Sequence, residues 1–134
     1  VPEVVFNLPS AETWEKVEAI APYTAQTPVP PQKVGKYTYT DDKFAIGGFT
    51  QLPSEKVRVP RIAECPIQAE AVVKHVNDRG TYALIELEFV QVHAEDHLVM
   101  EENKINPLAW EPLIYNFKHY YGLGEYKGLN FTIK

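Results

Sequence analysis

Two apolar-rich runs, Ile67–Val76 and Tyr82–His93, flank the tetrapeptide Asn77-Asp78-Arg79-Gly80. This spacing predicts a long antiparallel hairpin, with Gly80 at a turn position where positive φ is favoured. In the second arm, Ala83, Ile85, Leu87 and Phe89 are expected on one face. Tyr82, Leu84, Val90 and Val92 are expected on the other, interrupted by Glu86 and Glu88. A strand apolar on both faces lies inside a barrel or sandwich, or at a subunit interface.

The other expected elements are short. Val4, Val5 and Phe6 read as a buried strand. Ser10 is a suitable N-cap for a helix presenting Trp14, Val17 and Ile20 on one face, and Pro22 ends it. Residues 22–40 hold four prolines and the alternating Tyr37-Thr38-Tyr39-Thr40, which predicts an ordered covering loop. Asp41 or Asp42 caps one helical turn through Ile46, with Gly47 in the left-handed closing position. A chain of 134 residues is expected to form one domain over 1–134.

Composition excludes several function classes. Net charge is −5 and no Lys/Arg cluster occurs, which argues against a nucleic-acid footprint. No run reaches the ~18 apolar residues of a membrane span. Cys65 stands alone, which leaves no intrachain disulfide and fits a reducing cytoplasm.

One segment carries a family likeness. In KFAIGGFTQLPSEKVRVPRIAECPIQAE, residues 43–70, the residues Phe44, Gly48, Phe49, Thr50, Val57, Pro60, Arg61, Ile62, Glu64, Pro66 and Glu70 are spaced as in one pattern. That pattern is Phe-small-Gly-hydrophobic-Thr, then V-x-x-P-R-I-x-E-x-P-hydrophobic-x-x-E. The hairpin's second arm ends in Val90-Gln91-Val92-His93, and the C-terminal run holds Pro112-Leu113-Ile114-Tyr115 and Tyr121-Gly122-Leu123-Gly124. In order and spacing these resemble the flavin reductase-like proteins, which bind FMN on a split β-barrel. The resemblance implies a mainly-β split barrel with a short N-terminal helix, of which this chain is the C-terminal two-thirds. The strands that normally precede Val4-Val5-Phe6 and carry most of the FMN cradle have no counterpart here.

From the resemblance follow FMN as cofactor, NAD(P)H as possible cosubstrate, and a homodimer or a companion chain supplying the early strands. Asn7 follows the first strand as in the family and is the nearest survivor of the cradle's edge. Independently of family, Tyr115, Lys118, His119, Tyr120 and Tyr121 offer flat faces, polar tips and a positive charge suited to an aromatic ligand. The same side chains would equally close a barrel end or pack a dimer interface. His119 is the candidate to sit beside a flavin or nicotinamide ring, because imidazole donates or accepts near neutral pH.

Three functions remain open on sequence: an NAD(P)H:flavin oxidoreductase, an FMN electron carrier, and a flavin-free structural relative. The remaining signals point to structure rather than chemistry. His93 and His97 are four apart but at a strand end, without further ligands at zinc spacing. Glu86 and Glu88 read as a solvated or interface face, and Cys65 lies in no basic pocket. Arg61 is expected in an ion pair, with Glu70 a plausible partner, or on a phosphate.

Overall fold

The structure is a computed structural model that describes residues 2–133. Strand β1 (Glu3–Leu8) leads through a 3-10 turn at Ala11–Thr13 into helix α1 (Trp14–Ile20). Two short strands, β2 (Tyr23–Thr24) and β3 (Thr38–Tyr39), pair in parallel across the proline-rich loop. Helix α2 (Lys43–Gly47) precedes a small antiparallel pair, β4 (Gln51–Leu52) and β5 (Arg61–Ile62). The long strands β6 (Ile67–Asp78) and β7 (Ala83–Ala94) follow, and a C-terminal hairpin, β8 (Ile114–Asn116) with β9 (His119–Tyr121), closes the chain.

The sequence hairpin is present and each arm spans 12 residues. Gly80 takes φ +84°, and its N–H donates to the Asp78 carboxylate at 2.7 Å. Strand β6 lies centrally in an antiparallel sheet ordered β1-β6-β7. The register is not a simple alternation. Ala69 faces Val92 but Ala71 faces Phe89, so β7 carries an extra residue between them. This bulge moves Val92 onto the face of Phe89, where strict alternation put it opposite.

As a result the sheet has two distinct faces. Paired residues share a side, so one face joins Val4, Phe6, Ala69, Ala71, Phe89 and Val92. Its floor is buried at Ala69 and Ala71, while Phe6, Phe89 and Val92 are each more than half exposed. Phe6 and Phe89 meet ring to ring at 6.4 Å. The other face joins Asn7, Gln68, Glu70, Gln91 and His93.

That polar face holds the loop between β4 and β5, and it does so with side chains. The Glu70 carboxylate, fully buried, accepts from the backbone N–H groups of Glu55, Lys56 and Val57 at 2.6–3.1 Å and from His93 Nε2. Asn7 Oδ1 accepts from the Ile62 N–H at 3.0 Å. Gln68 Nε2 donates to the carbonyls of Ile62 and Cys65 at 2.8 and 2.6 Å. Glu3 accepts from the Arg58 N–H at 2.9 Å. The segment has little secondary structure of its own, so these bonds satisfy backbone groups that no ladder reaches.

Several local expectations are corrected. Glu70 does not pair with Arg61, whose guanidinium instead donates to the Pro53 carbonyl and to Gln68 Oε1. Ser10 makes no side-chain cap; its hydroxyl accepts from Trp110 Nε1 at 3.1 Å. Asp42 does cap α2, accepting from the Ala45 N–H, but Gly48 rather than Gly47 takes the left-handed conformation, at φ +64°. Gly47 is buried, and a Cβ there would stand 2.5 Å from the Phe49 ring and 2.9 Å from Ile20 Cγ2. Its smallness lets α2 approach α1.

Burial pushes the Glu70 carboxyl up, but the Glu55 N–H, the His93 ring and the Lys56 and Val57 N–H groups outweigh it and hold the group at about 2. The free energy involved is on the order of 3 kcal/mol. A depressed folded pKa stabilises above the ordinary carboxylate range and loses that stabilisation as pH falls. Denaturant melts between pH 6 and pH 2 are therefore expected to show stability falling below about pH 4.5 towards 2. Glu70→Gln should lose about 2–4 kcal/mol at pH 7 and flatten that acid limb. A variant with wild-type stability and an unchanged acid limb contradicts the clamp.

Candidate functional site

The C-terminal hairpin is built on a tight turn in which Phe117 and Lys118 both take positive φ, at 47° and 66°. Left-handed conformations are costly for L-residues. The turn places Lys118 and His119 in the lining of a cleft of about 430 Å³. Trp14 of α1, together with Ala11 and Leu113, forms its wall, and Tyr120, Tyr121 and Gly122 complete the lining.

Aromatic packing fixes this wall. Tyr120 stacks against Trp14 at 5.8 Å and meets Tyr115 edge-on at 5.5 Å. Its hydroxyl donates to Glu18 at 2.7 Å. That bond to Glu18, then burial and the Glu18 charge, push the phenol up to about 12. Tyr120 therefore stays neutral and offers a ring face rather than a titrating group. The His119 ring places Nδ1 2.7 Å from the Phe117 carbonyl. With that nitrogen as the donor, Nε2 is left as an acceptor.

Of the residues singled out on sequence, Lys118, His119, Tyr120 and Tyr121 line this cleft, and Tyr115 buttresses it through Tyr120. Asn7 is not in the lining. It stands on the sheet's polar face with its oxygen given to Ile62 and its amide to the Val5 carbonyl. Trp14 and Glu18 were missed as site residues. Helical spacing puts Trp14 on one face with Val17 and Ile20; the residue is 42% exposed and faces the hairpin. Their i, i+4 spacing on one helix face was the available signal.

Cys65 is buried, and burial with the neighbouring Glu64 charge pushes its thiol up to about 11, so it is held as a thiol. A cleft of about 750 Å³ opens near β5 and the end of β7, lined among others by Arg61, Gln68 and His93. No helix among the described residues is long and apolar enough to cross a membrane.

Comparison with known proteins agrees with this architecture. The chain is 44% identical to an uncharacterized Bacillus subtilis (strain 168) protein, YdfE, over 96% of its own length and 64% of that protein's. It thus spans less than two thirds of the curated relative it matches. Its fold superposes on the flavoredoxin of Desulfovibrio vulgaris (Miyazaki F) with a TM-score of 0.75, at 20% identity, covering 96% of this chain and 63% of that one. It superposes equally, at 0.75 and 18% identity, on the 2-nitrobenzoate 2-nitroreductase NbaA of Pseudomonas fluorescens, covering 96% and 58%. These likenesses assign the mainly-β chain the flavin reductase split-barrel fold. The flavin reductase like domain matches residues 4–124, and the chain belongs to that family.

Proposed function

We propose that this chain is part of an FMN-dependent oxidoreductase, an NAD(P)H:flavin oxidoreductase, with the flavin ring lodged against the C-terminal hairpin. The carrying observation is the cleft walled by Trp14, Tyr120 and Tyr121 in a chain of the flavin reductase-like family. Its donor set fits a flat heteroaromatic group. Trp14 and Tyr120 supply ring faces, His119 Nε2 an acceptor, and Lys118 a positive charge. FMN, when bound, supplies the hydride chemistry. The chain's residues hold and orient it: Glu18 fixes Tyr120, and the Phe117 carbonyl fixes the His119 ring. Asn7, bonded to Val5 and Ile62, takes a supporting role in this reading.

The assembly reading rests on the sheet's apolar face. Covering one large apolar side chain contributes roughly 1.5–3 kcal/mol, and Phe6, Ile85, Phe89 and Val92 are all more than half exposed. Such a face favours a second copy or a companion chain laid over it. Sedimentation of the 15.2 kDa chain at high micromolar concentration is expected to give twice that mass. A stable monomer there transfers the covering role to a companion chain.

Titration with FMN is expected to quench flavin fluorescence saturably, and added NADH to bleach the bound flavin. His119→Ala should weaken flavin binding or slow reduction by roughly tenfold with the folded spectrum intact. Unchanged affinity and rate in that variant reduce the hairpin to packing. Flavin that binds but is not reduced by NAD(P)H identifies an electron carrier. A chain that takes up no flavin identifies a structural relative.

A further inference from the structure

The sequence holds one methionine, Met100, and it lines an apolar cleft to which neither the C-terminal hairpin nor the long sheet contributes. The cleft holds about 720 Å³, within the range of small-molecule sites. Met100, Ile105 and Leu108 line it from one segment, and Tyr126, Leu129 and Ile133 from another. Tyr126 is the single ring. The lining therefore differs from the aromatic wall at Trp14 and Tyr120, and its aliphatic and thioether side chains suit a flexible chain rather than a flat group.

The two segments are held differently. Residues 98–109 are anchored. Leu98 is fully buried, and its carbonyl accepts from the Asn106 N–H at 2.7 Å. The Met100 N–H donates to the Lys104 carbonyl at 2.7 Å, and Asn106 Oδ1 accepts from the Leu108 N–H at 3.0 Å. Across 123–133, the single backbone–backbone hydrogen bond among the described residues is internal, from the Ile133 N–H to the Asn130 carbonyl. No backbone ladder ties that segment down, and Tyr126, Leu129 and Ile133 are each more than half exposed. A guest between the two segments covers these side chains without breaking a backbone bond between them.

One charged side chain lines the cleft, Lys104, and no carboxylate does. The Lys104 ammonium meets Glu102 at 2.9 Å, with both side chains well exposed. An exposed ion pair of this kind contributes little, so the ammonium exchanges partners at small cost. It has three N–H donors, of which Glu102 takes one. A single cation at an aliphatic slot is the complement of an anionic head on a hydrocarbon chain.

We propose that this cleft binds an aliphatic carboxylate of medium chain length, with its hydrocarbon against Met100, Leu129 and Ile133 and its carboxylate on the Lys104 ammonium.

The test is methyl NMR of the wild-type chain labelled at methionine, in which the Met100 Cε signal reports on the cleft. The probes are decanoate below its micelle-forming concentration, butyrate as the head alone, and decyltrimethylammonium as the same chain with opposite charge. Decanoate should shift the signal saturably, and the other two should leave it in place. Lys104→Gln should weaken decanoate binding roughly tenfold, the loss of one charge-assisted hydrogen bond. Equal shifts with decyltrimethylammonium, no shift with decanoate, or wild-type affinity in Lys104→Gln overturn the proposal. A Met100 signal that moves on dilution without any ligand assigns the cleft to a second copy of the chain and overturns it as well. The comparison of the three probes on the wild-type protein decides it even where Lys104→Gln does not fold.

Discussion

One buried carboxylate organises this structure. Glu70 sits mid-strand in β6, where an unpaired charge would be prohibitive. It is tolerated because three successive backbone N–H groups and the His93 ring converge on it. Charge-assisted bonds of this kind are about twice as strong as neutral ones. They fasten the loop, clasped at Pro53 by Arg61, onto one face of the sheet. Asn7 and Gln68 extend the same device along the cross-strand row. The polar face is thus covered by a loop of the same chain, and the apolar face keeps Phe6, Phe89 and Val92 more than half exposed.

This division explains where ligands can go. The sheet lines the cleft of about 750 Å³ at one end, and the hairpin cleft forms between α1 and the C-terminal strand pair. At the C-terminal hairpin, a turn with two left-handed residues tips His119 and Lys118 towards α1, whose Trp14 completes the wall. At the other cleft, the clamp that orders the loop also orients His93. Sites held by such supporting bonds are more exact than sites on free loops.

Much of this was legible in the sequence, and the failures have physical causes. The long hairpin was legible because two extended runs and a glycine turn agree. The bulge between Ala69 and Ala71's partners was not, since one inserted residue leaves no compositional mark yet reverses the facing of Val92. The motif residues Arg61, Glu64 and Glu70 were visible as a pattern, but the pairing of Arg61 with Glu70 was not the one the structure makes. Arg61 was the plausible partner for Glu70, while its real partners are the His93 ring and backbone N–H groups that sequence cannot display. Glu64 likewise accepts from the Thr50 N–H at 2.9 Å. Four of the six candidate site residues do gather at one cleft because a three-residue strand pair and its turn are local. Asn7 did not join them because the sheet needs its amide. The part of Trp14 in the cleft wall was not legible because helical spacing reports a face, not what covers it.

The account's central claim is that the flavin ring lies in the hairpin cleft. Co-crystallisation of the chain with FMN tests it most directly. The account predicts ring density in van der Waals contact with Trp14 and Tyr120, with His119 Nε2 at hydrogen-bond distance from a ring atom. Ring density elsewhere on the molecule, with the Trp14–Tyr120 wall unoccupied at saturating FMN, would contradict it.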